Sequence, residues 1–138
     1  MPRTVIDASP LPTESQEQTC LFRWAKMQEC DYPELRLLYH IPNGGSRNRL
    51  EAVHLKQQGV RAGVPDICLP VACGGCHSLY IEMKRLKGGR VSPEQMEWME
   101  DLKAEGHMVA VCQGWVMASE IILAYLKGSV ADGSQASK

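Results

Sequence analysis

Residues 63–84 read GVPDICLPVACGGCHSLYIEMK and hold two strand patterns joined by a Gly-rich connector. The short apolar run that follows Asp66 predicts a buried β-strand. In the second strand a period of two places Tyr80, Glu82 and Lys84 on one face and the apolar residues between them on the other. Because the connector is short, we expect the two strands to pair and to bring Asp66, Glu82 and Lys84 to one end of a sheet.

The segments on either side alternate between helical and extended patterns. Thr13 and Ser92 are typical helix N-caps, and Gly59 and Gly106 are typical residues at which helices end. The order α-β-α-β-β-α-β-α predicts an α/β fold with a central mixed β-sheet flanked by helices. The predicted helices cover residues 14–30, 48–58, 93–105 and 115–126. The remaining predicted strands cover residues 35–41 and 108–112, and we expect the second of these to be buried.

The size and composition are those of one globular domain. A chain of 138 residues, 44% hydrophobic and 22% charged, can bury a single core, which excludes a disordered or fibrous protein. No apolar run approaches the roughly 18 residues of a membrane span, and the N-terminus lacks the apolar core of a secretory signal. We therefore expect a cytoplasmic protein with a flexible leader over 1–13, a domain over 14–127 and a disordered tail over 128–138.

The net charge of −1 hides a segregation of charge along the chain. Residues 36–90 hold nine Lys and Arg against three Asp and Glu, a net +6, whereas the rest of the chain holds six against thirteen, a net −7. A basic window favours a phosphate-bearing partner such as nucleic acid, although a solvated face has the same composition.

Asp66 and Glu82 carry the strongest chemical signal. Two converging carboxylates repel each other, so their joint ionisation at neutral pH requires a cation between them. Oxygen ligands favour Mg²⁺ or Mn²⁺, and Lys84 could hold or activate a water molecule beside such an ion. The alternative is that Glu82 and Lys84 form the outer face of an amphipathic strand and that Asp66 is a turn residue.

The sequence around these residues resembles a nuclease family. Pro65-Asp66 followed by Glu82-Met83-Lys84 resembles the PD-(D/E)xK motif of the restriction-endonuclease-like superfamily. The segments PNGGSRNRLEAVHLKQQGVRAGVPDICLP (42–70) and LYIEMKRLKGGRVSPEQMEWMEDLKAEGHMVAVCQGW (79–115) resemble the VRR-NUC domain, a virus-type replication-repair nuclease. This resemblance, which runs from about residue 14 to residue 126, implies a restriction-endonuclease-like core and a Mg²⁺- or Mn²⁺-dependent nuclease.

Members of this family that consist of the domain alone, as in phages, are similar to Holliday-junction resolvases. The resemblance therefore implies a homodimeric endonuclease that cleaves branched DNA. The alternative is a nucleic-acid-binding module without catalysis, in which the carboxylates are structural. For the dimer interface we expect an apolar surface outside the basic window, with Trp115 and Met117 as candidates; their other possible role is to pack against the sheet.

The resemblance also implies roles for individual residues. Asp66 and Glu82 become the metal ligands, and the Met83 backbone carbonyl becomes a further ligand. Lys84 becomes the residue that orients the attacking water or stabilises charge. Gln95 corresponds to the family's glutamine at the start of the helix after the catalytic strand; otherwise it is a first-turn helix residue.

Such families place a glutamate of the first helix near the metal as well. Glu14 and Gln18 share one helical face, whereas Glu17 shares its face with Leu21. We favour Glu14 because its Glu-x-x-x-Gln spacing resembles the family pattern, and Glu17 is the alternative.

Seven further basic residues border the predicted metal site in sequence and are assigned to phosphate contacts, which position DNA without reading its bases. The stretch 43–46, Asn-Gly-Gly-Ser, is either a tight turn or an anion site, and His54 is a core or boundary residue. The seven are Arg47, Arg49, Lys56, Arg61, Arg85, Lys87 and Arg90.

The connector Cys73-Gly-Gly-Cys76-His77 matches the C-x-x-C-H pattern of covalent haem attachment. Because no export signal accompanies it, we exclude haem. Zinc bound by Cys68, Cys73, Cys76 and His77 is an alternative with a cramped spacing. The simplest interpretation is a loop of reduced, exposed thiols that oxidise readily.

Overall fold

The computed structural model describes residues 10–42 and 49–128. Within these residues the predicted α/β order of elements is confirmed. The predicted leader as far as residue 9 and the predicted tail from residue 129 lie outside the description. The elements are α1 (Glu14–Gln28), a 3₁₀ helix (Pro33–Leu37), β1 (Tyr39–His40), α2 (Arg49–Gln57), β2 (Ile67–Leu69), β3 (Leu79–Lys84), α3 (Pro93–Ala104), β4 (Met108–Gln113) and α4 (Trp115–Leu126).

The four strands form one mixed sheet in the order β1-β2-β3-β4. β2 pairs with both β1 and β3 in antiparallel orientation, and β3 pairs with β4 in parallel. In this register Ile67 lies opposite Ile81, and Glu82 lies opposite Val111. The expected pairing of the strands on either side of the Gly-rich connector is confirmed, and Asp66 directly precedes β2 at the end of the sheet where β3 finishes.

The alternation in β3 separates a core face from a site face. Leu79, Ile81 and Met83 are at most 1% exposed and form the core face, which packs with α1 and α4. Tyr80, Glu82 and Lys84 form the site face, on the side that α3 covers. The site face is also largely buried, because Glu82 and Lys84 lie under the start of α3 and the loop that follows β3.

Both predicted N-caps are present. The Thr13 hydroxyl accepts a hydrogen bond from the Gln16 N–H, and the Gln16 side chain accepts one from the Thr13 N–H. Ser92 and Gln95 form the same reciprocal pair at the start of α3, which has proline at its first position. Such capping boxes satisfy N–H groups that have no partner inside the helix, and they fix where each helix begins.

Two strand predictions are wrong in detail. The predicted strand over 35–41 is mainly a 3₁₀ helix, and only Tyr39–His40 is extended. Leu35, Leu37 and Tyr39 alternate in sequence as they would in a strand. The chain instead buries Leu35 and Leu38, which are three apart as in a 3₁₀ helix, and leaves Leu37 and Tyr39 exposed. β4 was expected to be buried, but it ends the described sheet and only Cys112 in it is fully buried.

In the described part of the chain no helix is long and apolar enough to cross a bilayer.

Met83→Ala tests the core face. The Met83 side chain is 1% exposed, so its removal should lower the free energy of unfolding by about 2–5 kcal/mol in a denaturant titration. Met96→Ala is the matched control, because Met96 is 55% exposed and should cost less than about 0.5 kcal/mol. Equal losses in the two variants would contradict the assignment of the faces.

Candidate active site

Asp66 lies at the junction of β1, β2 and β3. Its Oδ2 accepts a hydrogen bond of 2.8 Å from the Met83 backbone N–H, which fixes the carboxylate against β3. Its backbone carbonyl accepts the Ile41 N–H at 2.6 Å and is 2.9 Å from Nδ1 of His40. Asp66 is therefore held through both its side chain and its backbone.

Glu82, Lys84 and Gln95 form a closed cluster on the site face. The Lys84 ammonium lies 3.4 Å from Oε2 of Glu82 and donates to Oε1 of Gln95 at 3.2 Å. The Gln95 amide in turn donates to Oε2 of Glu82 at 2.8 Å. Each of the three side chains contacts the other two, so their relative positions are fixed.

Burial makes this cluster unusual. Glu82 is only 2% exposed and Lys84 7%, whereas an amphipathic outer face would leave both in water. The structure thus contradicts the alternative of a solvated strand face. Burying two ionisable side chains in contact is costly, and such groups concentrate at functional sites.

The electrostatics favour the binding of a cation. Burial, and after it the charge of Asp66, raises the pKa of Glu82 to about 8, against the lowering effect of Lys84. Burial also raises the pKa of Asp66, against the opposing effects of the Met83 N–H bond and of His40. Both carboxyl groups therefore resist ionisation in the metal-free site. A bound divalent ion would supply the positive charge that favours their ionised forms.

The raised pKa of Glu82 predicts a pH-dependent stability in the metal-free protein. Glu82 releases its proton near pH 4.5 in the unfolded chain and near pH 8 in the folded one, so the folded state binds the proton more tightly. This contribution to the free energy of unfolding is present below pH 4.5 and is lost as the pH rises to about 8.

In EDTA, the difference in denaturation midpoint between Glu82→Gln and the wild type should grow in favour of the variant between pH 5 and pH 8. Glutamine carries no charge to desolvate, so its own contribution does not change with pH. A difference that is constant over this range would contradict the raised pKa.

Gln95 serves the helix and the site at once. Its Oε1 accepts the Ser92 N–H at 2.9 Å as part of the capping box, and the same oxygen accepts from Lys84. The interpretation of Gln95 as a first-turn helix residue is confirmed, and its role in the family's site stays a prediction. The start of α3 is coupled directly to the carboxylate of Glu82 through one side chain.

Gly89 explains how Lys84 is buried, and sequence reasoning missed it. A Cβ atom at position 89 would lie 2.9 Å from the Cβ and 3.2 Å from the Cδ of Lys84. Any larger residue would push the lysine stem aside, because contacts this short are not tolerated. The loop after β3 thus closes over the lysine only because residue 89 is glycine.

The first helix turns Glu17, not Glu14, inward toward the start of α4. Glu14 is exposed in the first turn of α1, whereas Glu17 is 3% exposed and accepts the Trp115 N–H at 2.8 Å. Gly114, beside it, donates to the Lys84 carbonyl at 2.9 Å. The face that Glu17 shares with Leu21 turns inward, whereas Glu14 faces outward; the role of either glutamate near a metal stays a prediction.

Glu17→Ala should destabilise the fold. Glu17 caps the N-terminus of α4, where Gly114 offers no side chain, and a carboxylate there is favourable toward the helix dipole. Its loss leaves the Trp115 N–H without this partner, and we expect a cost of about 1–3 kcal/mol in the free energy of unfolding. Glu14→Ala should cost less than about 0.5 kcal/mol; equal effects would refute the assignment.

The oxygen atoms at this site fit a hard divalent cation. Among the described residues, Oε1 of Glu82 is a buried oxygen without a hydrogen-bond partner. Asp66 retains Oδ1 beyond its bond to Met83, and the residues offer oxygen rather than sulfur or nitrogen. Mg²⁺ and Mn²⁺ bind through one or two carboxylates and keep the remaining positions for water and phosphate.

The zinc alternative is not supported. Within residues 10–42 and 49–128 no three His, Cys, Asp or Glu side chains come together as a metal-binding group. Cys73 and Cys76 pair across a two-residue hairpin, with the Cys73 thiol directed at the Leu126 carbonyl. Cys68 instead contacts Tyr39 and Tyr80.

The predicted phosphate-binding residues are exposed wherever the structure describes them. Arg85, Lys87 and Arg90 lie on the loop that follows β3, and Arg85 donates to the Lys87 carbonyl at 2.9 Å. Arg49 and Lys56 lie on α2, and Arg61 lies on the loop between α2 and β2. Arg47 and the stretch 43–46 lie outside the described residues.

A mixed sheet with Asp66 before one strand and Glu82-x-Lys84 on the next defines the PD-(D/E)xK class of folds. The VRR-NUC domain model matches residues 7–115. A solved structure described as a VRR_NUC domain protein is 31% identical, with a TM-score of 0.73, over 86% of this chain and 91% of that one. No curated protein matches. The chain belongs to the VRR-NUC domain family, whose members are generally nucleases.

Proposed function

We propose that this chain is a Mg²⁺- or Mn²⁺-dependent endonuclease that hydrolyses phosphodiester bonds in branched DNA such as Holliday junctions. The observation that carries the proposal is the buried Glu82–Lys84–Gln95 cluster beside Asp66. A protein that only binds DNA requires a basic surface. DNA binding does not require a buried lysine held between a carboxylate and an amide, next to a second carboxylate, whereas catalysis does.

In this proposal Asp66, Glu82 and the Met83 backbone carbonyl hold the ion. When bound, a divalent ion supplies a Lewis acid for the phosphoryl oxygens and lowers the pKa of a bound water. The chain's own contribution is to keep the two carboxylates in place. The Met83 N–H fixes Asp66, and the Gln95 amide fixes Glu82, so neither has to reorganise when the site is filled.

Lys84 is the residue that acts on the water and on the developing charge. Its ammonium is held by Glu82 and Gln95 in a site that is nearly closed to solvent. A cation fixed in such an environment stabilises negative charge at the phosphate far better than it does in water. Gln95 acts as a positioning residue, because it contacts both Lys84 and Glu82.

Exposed cations around the Glu82–Lys84–Gln95 cluster hold the DNA. The loop residues Arg85, Lys87 and Arg90 follow directly after Lys84 in sequence, so phosphates bound by them lie close to the carboxylates. Contacts of this type are independent of base sequence. A nuclease that uses them recognises the path of the backbone, which is what distinguishes branched DNA from linear duplex.

A homodimer would supply two sites for paired cuts in a four-way junction. Trp115, one interface candidate, packs against the core and is only partly exposed. Met117 is 41% exposed and its neighbour Val116 53%, so these two residues of α4 are the stronger candidates. Sedimentation at micromolar concentration tests this part of the proposal, and a protein that stays monomeric both alone and on junction DNA would refute it.

The test of the proposed activity is incubation with a labelled four-way junction, the matched linear duplex and single strands. We expect cleavage with Mg²⁺ or Mn²⁺, none with EDTA, and faster cleavage of the junction than of the duplex. Tight junction binding without cleavage in either metal would favour the non-catalytic binding module instead.

A further inference from the structure

A cavity lies between the end of α2 and α3, the helix that also carries Gln95. It has a volume of about 370 Å³ and is lined by Lys56, Gly59, Val60, Arg61, Ala62 and Trp98. We call it the Trp98 pocket. It combines two exposed cations with one half-buried indole, and none of these six residues takes part in the Glu82–Lys84–Gln95 cluster.

The pocket is fixed relative to the cluster by two features. A Cβ atom at Gly63 would lie 2.7 Å from the Glu94 carbonyl oxygen, so the loop after α2 rests directly on the first turn of α3. Trp98 follows Gln95 by three residues, which places both on one helix face with a rise of about 4.5 Å between them. Because Gln95 donates to Glu82, the pocket lies on the face of α3 that adjoins the cluster.

We propose that the Trp98 pocket binds one unpaired nucleotide of the DNA strand next to the cleaved bond, with its base stacked on Trp98 and its phosphate paired with Lys56 and Arg61. The proposal rests on the proposed function, since it names a feature of the same substrate. The cavity volume lies within the range of about 300–1,000 Å³ that small-molecule pockets occupy.

The chemistry selects an unpaired nucleotide over a paired one. A base inside a duplex has both faces covered by its neighbours, so an indole can stack only on a base that has left the stack. Stacking on an aromatic side chain tolerates any base, and the flanking cations contact phosphate without reading sequence. The pocket would therefore favour DNA with a loose or displaced nucleotide at the cut over a perfectly paired duplex.

The test measures DNA binding in EDTA, so that no cleavage is involved. The probes are two labelled duplexes with one unpaired position, which carries thymidine in one and an abasic sugar-phosphate in the other. We expect the wild type to bind the thymidine probe about tenfold more tightly than the abasic probe. Trp98→Ala should bind both probes equally, and Trp98→Phe should recover part of the preference.

The cation arm uses Lys56→Ala with Lys26→Ala as the matched control. Lys56→Ala should weaken both probes about equally, because the phosphate is common to them, and Lys26→Ala should not. Circular dichroism checks that each variant is folded. If Trp98→Ala does not fold, the test compares the preference for the thymidine probe in the wild type with that in Trp98→Phe.

Equal binding of the two probes by the wild type overturns the pocket, and so does an unchanged preference in folded Trp98→Ala. The cleavage assay is a separate measurement. Cleavage of junctions together with equal binding of the thymidine and abasic probes would refute only the proposed nucleotide site. Tighter binding of the thymidine probe without any cleavage would refute only the proposed function.

Discussion

Asp66→Asn will abolish DNA cleavage while the fold and DNA binding survive. Asparagine keeps an oxygen that can accept the Met83 N–H, so the 2.8 Å bond that anchors residue 66 can persist. It removes one of the two negative charges that the proposal assigns to the metal. Loss of several kcal/mol of charge stabilisation corresponds to a fall of at least about 100-fold in the rate of cleavage.

The measurement is a single-turnover cleavage rate in Mg²⁺, with junction binding measured in Ca²⁺ by gel shift. Binding should stay within about threefold of the wild type, because the phosphate contacts come from other residues. Asp31→Asn provides the control, since Asp31 is exposed in the turn after α1. Near wild-type cleavage by Asp66→Asn would mean that the metal site is assigned wrongly.

Lys84→Met will lower turnover by about 100- to 10,000-fold, the range for loss of a positioned acid–base group. Methionine retains most of the stem that packs under Gly89, so the variant separates the ammonium from its packing. The loss should appear in the rate of the chemical step at saturating DNA. DNA binding should change little, because the ammonium is enclosed by Glu82 and Gln95.

Lys103→Met is the matched control. Its ammonium is 3.9 Å from the Glu100 carboxylate, but both side chains are more than half exposed. An ion pair of this kind contributes little, so the variant should cleave as the wild type does. If Lys103→Met and Lys84→Met lost activity equally, the special role of Lys84 would be refuted.

The strand pairing and the composition of the site were predictable from local sequence. The period of two in β3 and the short connector suffice to predict that Asp66, Glu82 and Lys84 lie together. The N-caps Thr13 and Ser92 were equally accessible, because a capping box is a pattern of four consecutive residues.

The features that sequence reasoning missed depend on long-range contacts. Glu17 and Trp115 are 98 positions apart, and nothing local shows that their groups meet at 2.8 Å. The burial of Lys84 needs Gly89 from a loop that reverses over the strand. Helical periodicity leaves several candidate faces on α1, and only packing against α4 decides that Glu17 points inward.

The central claim is that Asp66 and Glu82 together bind a divalent ion, and Mn²⁺ titration of the purified protein by calorimetry tests it most directly. We predict one or two bound Mn²⁺ per chain at pH 8 in the wild type, and a loss of at least about tenfold in affinity in both Asp66→Asn and Glu82→Gln. Asp31→Asn should bind as the wild type does. Mn²⁺ binding that is unchanged in Asp66→Asn and Glu82→Gln would contradict the account.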